Sequence, residues 1–492
     1  MKNNIKYLIL LAAFSIMGVS CKRELLNPQP QTSITDASAF DTPSRILNQL
    51  LSVYGTFKAG AFHGGRAVAA SEIKGEDFFA ETSNLVVGFD VWNLNVANSA
   101  TFINNIWNQG YLTINRANVF IDGMNAKGAA VVGQGIANNY IAEARLIRAV
   151  SYHILLQYFA RPYADGNGSK PGLPLRLSGI VGSGQSDLAR STVAEVYTQI
   201  LADLDFAEAN LPLDYPSGGT QATNRTTRAH RNTAIALKTR VYLSMQRYTD
   251  VITEANKIVP ASAPFVATSG VPHALQADVT NVFKSPYTTT ESIFSLPMTT
   301  TTGDFPGTQN QLGLYYYSAS GPGTGEYSLN PNGILGDPQW GPTDKRRAMV
   351  YTNPSNNKKY LSKFPTLAAA QYTDWVPVIR WPEVLLNLAE ALARTNTGVN
   401  ARALALLRAV HERSDPTLIL APTTQSELID MILKERRIEF LGEGLRNMDL
   451  MRLLQTIPAK GSAPSKAPNE SQYIWPISAT ELSTNKLMTD NP

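Results

Sequence analysis

The chain has 492 residues, with 43 Lys and Arg against 39 Asp and Glu, five His and a single Cys. A formal charge of +4 without a basic run argues against nucleic acid as a partner, and one cysteine excludes an intrachain disulfide. The length allows a large core, and many of the 20 Tyr, 17 Phe and 6 Trp fall in loop-like sequence.

At the N-terminus, Lys2 and Lys6 precede an apolar run from Tyr7 to Phe14, and Ser15 to Ser20 lead to Cys21. This is the pattern of an export leader over residues 1–20, too short to span a bilayer. A cysteine directly after the cut resembles a bacterial lipoprotein signal, with Cys21 as the lipidated first residue; the other reading is an ordinary leader with an incidental cysteine. Several acyl chains on that residue would anchor the protein firmly. Loss of Lys2 and Lys6 leaves a charge of +2. Residues 21–40, polar and proline-containing, read as a flexible tether, and 41–492 as one body.

Within that body, 41–260 reads as helical. Thr42 as N-cap and Pro43 at the first helical position open a helix whose apolar face is Ile46, Leu47, Leu50, Leu51, Tyr54 and Phe57. A looser, glycine-containing stretch from Ala59 to Asn98 carries Phe78, Phe79, Phe89 and Trp92. Helical spacing predicts a hairpin of Phe102–Met124 and Ile136–Phe159, with its turn in the glycines between. Thr192 and Glu195 form a capping box that opens a helix to Leu211. Two further pairs follow, Asn232–Met245 with Tyr248–Val259 and Pro382–Arg394 with Asn400–Arg413, and then a helix from Ser426 to Leu441. Small residues at the contacts of these pairs suggest degenerate tetratricopeptide-type packing in a mostly α fold with minor β content.

Residues 261–380 differ. They are rich in Thr, Gly, Pro, Ser and Tyr, with one alternating segment, Glu291–Leu296, that reads as a strand. The helical pattern resumes over 381–492. A flat ring in such a loop can stack on a sugar or on a peptide side chain. Trp92, Tyr315, Tyr316, Tyr317 and Trp340 are therefore the candidate ligand-binding residues, with at least one ring of the Tyr triplet facing inward. Trp107, Trp381 and Trp475 sit in or beside helical and apolar runs and read as packing.

No catalytic constellation stands out. The five histidines are scattered without a zinc-binding pattern, and the glycines of 321–325 lack the lysine and helix of a phosphate loop. Glu435 and Glu439 share a helical face, as the two carboxylates of a glycosidase would, yet Arg436 and Arg437 lie between them. Alternating charge of this kind reads as an ion-pair lattice. No catalytic residue, metal or cofactor is expected.

Several segments resemble the SusD/RagB family of outer-membrane lipoproteins. They are the helix from Ile141 to Phe159, the Ala-rich pair Asn232–Asn256, Glu383–Ala391, the stretch Ile432–Leu450 (ILKERRIEFLGEGLRNMDL), and the tail Trp475-Pro476-Ile477 with Glu481 and Asn485. The resemblance covers essentially the whole mature chain. It implies a SusD-like helical scaffold with a loop-rich variable half, displayed at the outer membrane above a SusC-like TonB-dependent transporter. It also implies a nutrient ligand, most often an oligosaccharide and in some relatives a peptide, bound without catalysis. The place of Trp92, before the first long hairpin, resembles where members put a stacking aromatic. One departure is that Lys22-Arg23-Glu24 offers a single acidic residue after Cys21, where surface-exported lipoproteins tend to carry several.

Overall fold

The computed structural model describes residues 38–491 except 183, 185, 217–220, 222, 302 and 318–324. The leader, Cys21 and most of the tether lie outside the described residues. The fold is mostly helical, and its helix starts follow the local chemistry of the sequence. In α1 (Pro43–Phe57) the Thr42 hydroxyl accepts from the Arg45 N–H, and Pro43 sits where a missing N–H costs nothing. Its buried face is Ile46, Leu50, Val53, Tyr54 and Phe57. The face is narrower than the spacing suggests, because Leu51 is exposed.

Helix α2 (Arg66–Lys74) lies in the stretch expected to be loose. All nine of its residues are buried, so it has no polar face and hence no helical period to read. Helices α3 (Thr101–Gly123) and α4 (Gln134–Phe159) form the expected hairpin. The expected turn is itself helical through Met124–Gly128 and Ala129–Val132, and the chain reverses only at Gly133, with φ of +85°. The capping box at Thr192 and Glu195 opens α5 (Val193–Asn210), with both reciprocal bonds made. There follow α6 (Arg231–Ser244), α7 (Tyr248–Ala255), α8 (Trp381–Thr395), α9 (Ala401–Glu412), α10 (Gln425–Glu439) and α11 (Arg446–Arg452). From α3 to α9 each of these helices packs on the next, α1 lies on α3 and α4, and α10 lies on α8 and α9. That succession is the helix-pair packing expected from the small contact residues.

Eight short strands among the described residues make four antiparallel pairs. These are β1 (Phe78–Ala80) with β3 (Tyr327–Leu329), β2 (Ser292–Leu296) with β8 (Val376–Arg380), β4 (Val350–Thr352) with β5 (Lys359–Leu361), and β6 (Leu367–Ala368) with β7 (Gln371–Tyr372). β2 is the strand expected from alternation, and β8 runs straight into α8. One large hydrophobic cluster draws on both the helices and the loop-rich segment. Trp107, Trp381 and Trp475 are buried in it, as expected; Trp475 stacks on Tyr158 at 4.3 Å and ties the tail to α4. Among the described residues no helix is long and apolar enough to cross a membrane.

Candidate functional site

Strand β1 places two adjacent phenylalanines on opposite faces. Phe78 is buried and stacks on Tyr316 at 5.0 Å, whereas Phe79 is half-buried beside its cross-strand partner Ser328. Phe79, Trp92, Leu329 and Leu335 line a cavity of about 450 Å³ whose rim carries Glu81, Asn357, Lys358 and Lys359. Glu81 is held by the Lys358 ammonium and by the Ser328 hydroxyl, and its negative charge raises the lysine pKa. An apolar floor with a hydrogen-bonding rim suits a ligand that has both a nonpolar face and many hydroxyls.

Trp92, in the short helix Phe89–Trp92, forms part of the floor at 4% exposure. Its indole N–H donates to the Phe78 carbonyl at 2.8 Å, and Phe89 stacks on it at 5.7 Å. The Lys460 ammonium lies 5.8 Å from its ring centroid. Gly461, with φ of +51°, rests against the same indole, and a Cβ there would lie 3.1 Å from it. Lys460 donates to the carbonyls of Ile73, Lys74 and Gly75, capping the C-terminus of α2. Lys74 donates to the Tyr473 carbonyl at 2.7 Å. Burial lowers both lysines to about 7, with Glu76 opposing the shift at Lys460.

Three of the five expected binders do not face a ligand in this arrangement. Tyr315 is 0% exposed, donates to the Gln309 carbonyl at 3.0 Å and stacks on Tyr327. Tyr316 is also 0% exposed, and its hydroxyl finds no partner among the described residues. Trp340 is 2% exposed, with the Arg347 guanidinium 4.4 Å from its ring centroid. These rings fill the core beneath their own loops, and their burial corrects the expectation that they stack on a ligand. Tyr317 is half-buried and meets Tyr351 edge-on at 5.5 Å, beside a groove of about 350 Å³. Trp92 and Tyr317 therefore border separate concavities. Phe79, unremarked in the sequence as a binder, is the ring with more open surface; adjacent phenylalanines in a strand, one inward and one outward, are the signal that could have found it.

Glu435 and Glu439 of α10 sit elsewhere and are engaged by cations. Glu435 and Glu439 both pair with Arg346, at 2.6 and 3.0 Å. Arg380, at the end of β8, bonds Glu291, Glu439 and Glu443, and Arg413 bonds Glu291 and Glu439. Asp344 pairs with Arg346, Lys363 with Glu443, and His411 with Glu435 at 2.8 Å. All these residues except the half-buried Arg413 are buried. Burial pushes the carboxyls of Glu435, Glu439 and Glu443 up, but the facing cations outweigh it and hold them below the usual range. At His411 burial is likewise outweighed by Glu435, and the imidazole is raised. A general acid needs a raised pKa and a cleft; these groups have neither. Among the described residues no cluster of three His, Cys, Asp or Glu could hold a metal ion.

The profile described as the SusD family matches residues 324–492, and one described as starch-binding, associating with outer membrane, matches residues 27–243. A solved SusD superfamily protein from Bacteroides fragilis is 30% identical, covers 91% of this chain and 99% of its own, and superposes with a TM-score of 0.78. The SusD-like protein P2 of Formosa agariphila is 24% identical, over 99% of both chains. A solved laminarin-binding SusD-like protein is 21% identical, over 92% of this chain and 99% of its own, with a TM-score of 0.73.

Proposed function

Because the chain belongs to the SusD superfamily, we propose that it binds a glycan at the Phe79–Trp92 cavity and delivers it to a TonB-dependent transporter without cleaving it. The observation that carries this reading is the cavity itself. It has an aromatic floor, a rim of amide, hydroxyl and ammonium groups, and one carboxylate, Glu81, already engaged by Lys358 and Ser328. Glycoside hydrolysis of the usual kind needs two carboxyls flanking the bond. Phe79 supplies the ring face on which the nonpolar side of a sugar can stack. Lipidation of Cys21 would hold the protein at the outer membrane, where it could cap the transporter.

Native gels cast with individual polysaccharides test the binding. Retardation by at least one polymer is expected, with loss on Phe79→Ala. Release of new reducing ends by the purified protein would overturn the non-catalytic reading, and competition by peptides but by no glycan would reassign the ligand. Co-purification of an outer-membrane β-barrel transporter tests the partnership. Cys21→Ser is expected to move the protein from the membrane to the soluble fraction.

A further inference from the structure

We infer that the ligand is an extended glycan chain that crosses the β4–β5 hairpin, with a second subsite formed by Tyr317 and Tyr351. This rests on the glycan-binding reading and goes beyond it by fixing the length of the ligand and the far contact.

The hairpin contributes to two concavities. Lys358 and Lys359 line the Phe79 cavity, while Val350 and Tyr351 line the groove of about 350 Å³ beside Tyr317. The register pairs Tyr351 with Tyr360 and Thr352 with Lys359, so Tyr351 and Lys359 project from opposite faces of the ribbon. Residues of one hairpin thus line both ring-bearing pockets. Tyr317 and Tyr351 meet at 62°, each half-buried, and neither hydroxyl bonds to a described protein group. Two edge-on rings with unused hydroxyls present both an apolar face and hydrogen-bonding capacity to a visitor. The groove, like the cavity, offers no pair of carboxylates; its lining has none. Each concavity lies near the small end of the roughly 300–1,000 Å³ range of ligand sites, so each accommodates a short piece of a chain. Joining two weak contacts through one ligand raises affinity by about 10²–10⁴ once the ligand spans both.

The experiment uses laminarin, starch, pectin and a sulfated galactan in affinity gels, then a size-fractionated hydrolysate of the retarding polymer in calorimetry. Affinity is expected to rise steeply at the length that spans the hairpin. Tyr351→Leu and Tyr317→Leu, which keep apolar bulk, should remove that rise by about tenfold or more, leaving the shortest binding fragments unaffected and circular dichroism unchanged. Phe79→Ala should weaken fragments of every length. If the tyrosine variants bind long chains within about twofold of the parent while Phe79→Ala does not, the second subsite is wrong and the binding reading stands. If no polymer retards the parent protein, both are wrong.

Discussion

The buried face of α10 and the rim of the Phe79 cavity both concentrate charge, and they use it in opposite ways. Around the helix, Asp344, Glu291, Glu435, Glu439 and Glu443 are matched against Arg346, Arg380, Arg413 and Lys363, with His411 as the fifth base. Every carboxylate there except Asp344, which pairs with its near neighbour Arg346, answers a cation on another segment, so the charges lock helices to strands. At the cavity the rim is looser. Lys359 and Asn357 are exposed, and Glu81 and Lys358 form the rim's one ion pair among the described residues. Dense ionisable sequence therefore marks the frame of this protein, whereas the candidate cavity is marked by a ring with an open face.

The comparison breaks most decisively at Arg380. Arg380→Met removes the one cation that Glu291, Glu439 and Glu443 share in the core, and should cost about 3–5 kcal/mol in denaturant unfolding or prevent folding. Acid comes next. At Asp449 burial raises the pKa, but Arg436 and Arg452 outweigh it and bring the group to about 2. A depressed carboxyl contributes stability that is complete above its unfolded value near 3.9 and is lost as pH falls through its native value. Asp449 alone should therefore account for about 2–3 kcal/mol lost between roughly pH 5 and 1, a slope that Asp449→Asn removes.

The cavity residues should invert this pattern. Phe79→Ala is expected to weaken glycan binding by about tenfold, while unfolding free energy falls by only about 1 kcal/mol. Gly461→Ala places a left-handed residue against Trp92 and should cost about 1 kcal/mol, with a shift in tryptophan emission. The smallest effect distinguishes packing from binding within one triplet. Tyr316→Phe removes a buried hydroxyl that has no partner among the described residues, and should leave binding intact and stability equal or higher by up to about 1 kcal/mol.

Much of the frame was legible because caps and apolar spacing are local. Thr42, Thr192 and Glu195 announce their helices, and the charges between Glu435 and Glu443 announce a lattice. Helix α2 was not legible, since total burial erases the periodicity that betrays a helix. The site was legible only in part. Trp92 borders the cavity, but Tyr315, Tyr316 and Trp340 turn into the core. Which side of a loop a ring faces depends on distant partners such as Arg347 and Tyr327, and no neighbour in sequence records that choice.

The stacking of Trp475 on Tyr158 has a consequence for the order of folding. The backbone N–H of Trp475 donates to Tyr158, Asn485 exchanges hydrogen bonds with Leu188, and Arg190 donates to Thr489. An early part of the chain is thus covered by residues far downstream in the sequence. Loop closure over so long a stretch must precede these contacts, so the hairpin should gain this cover late in folding.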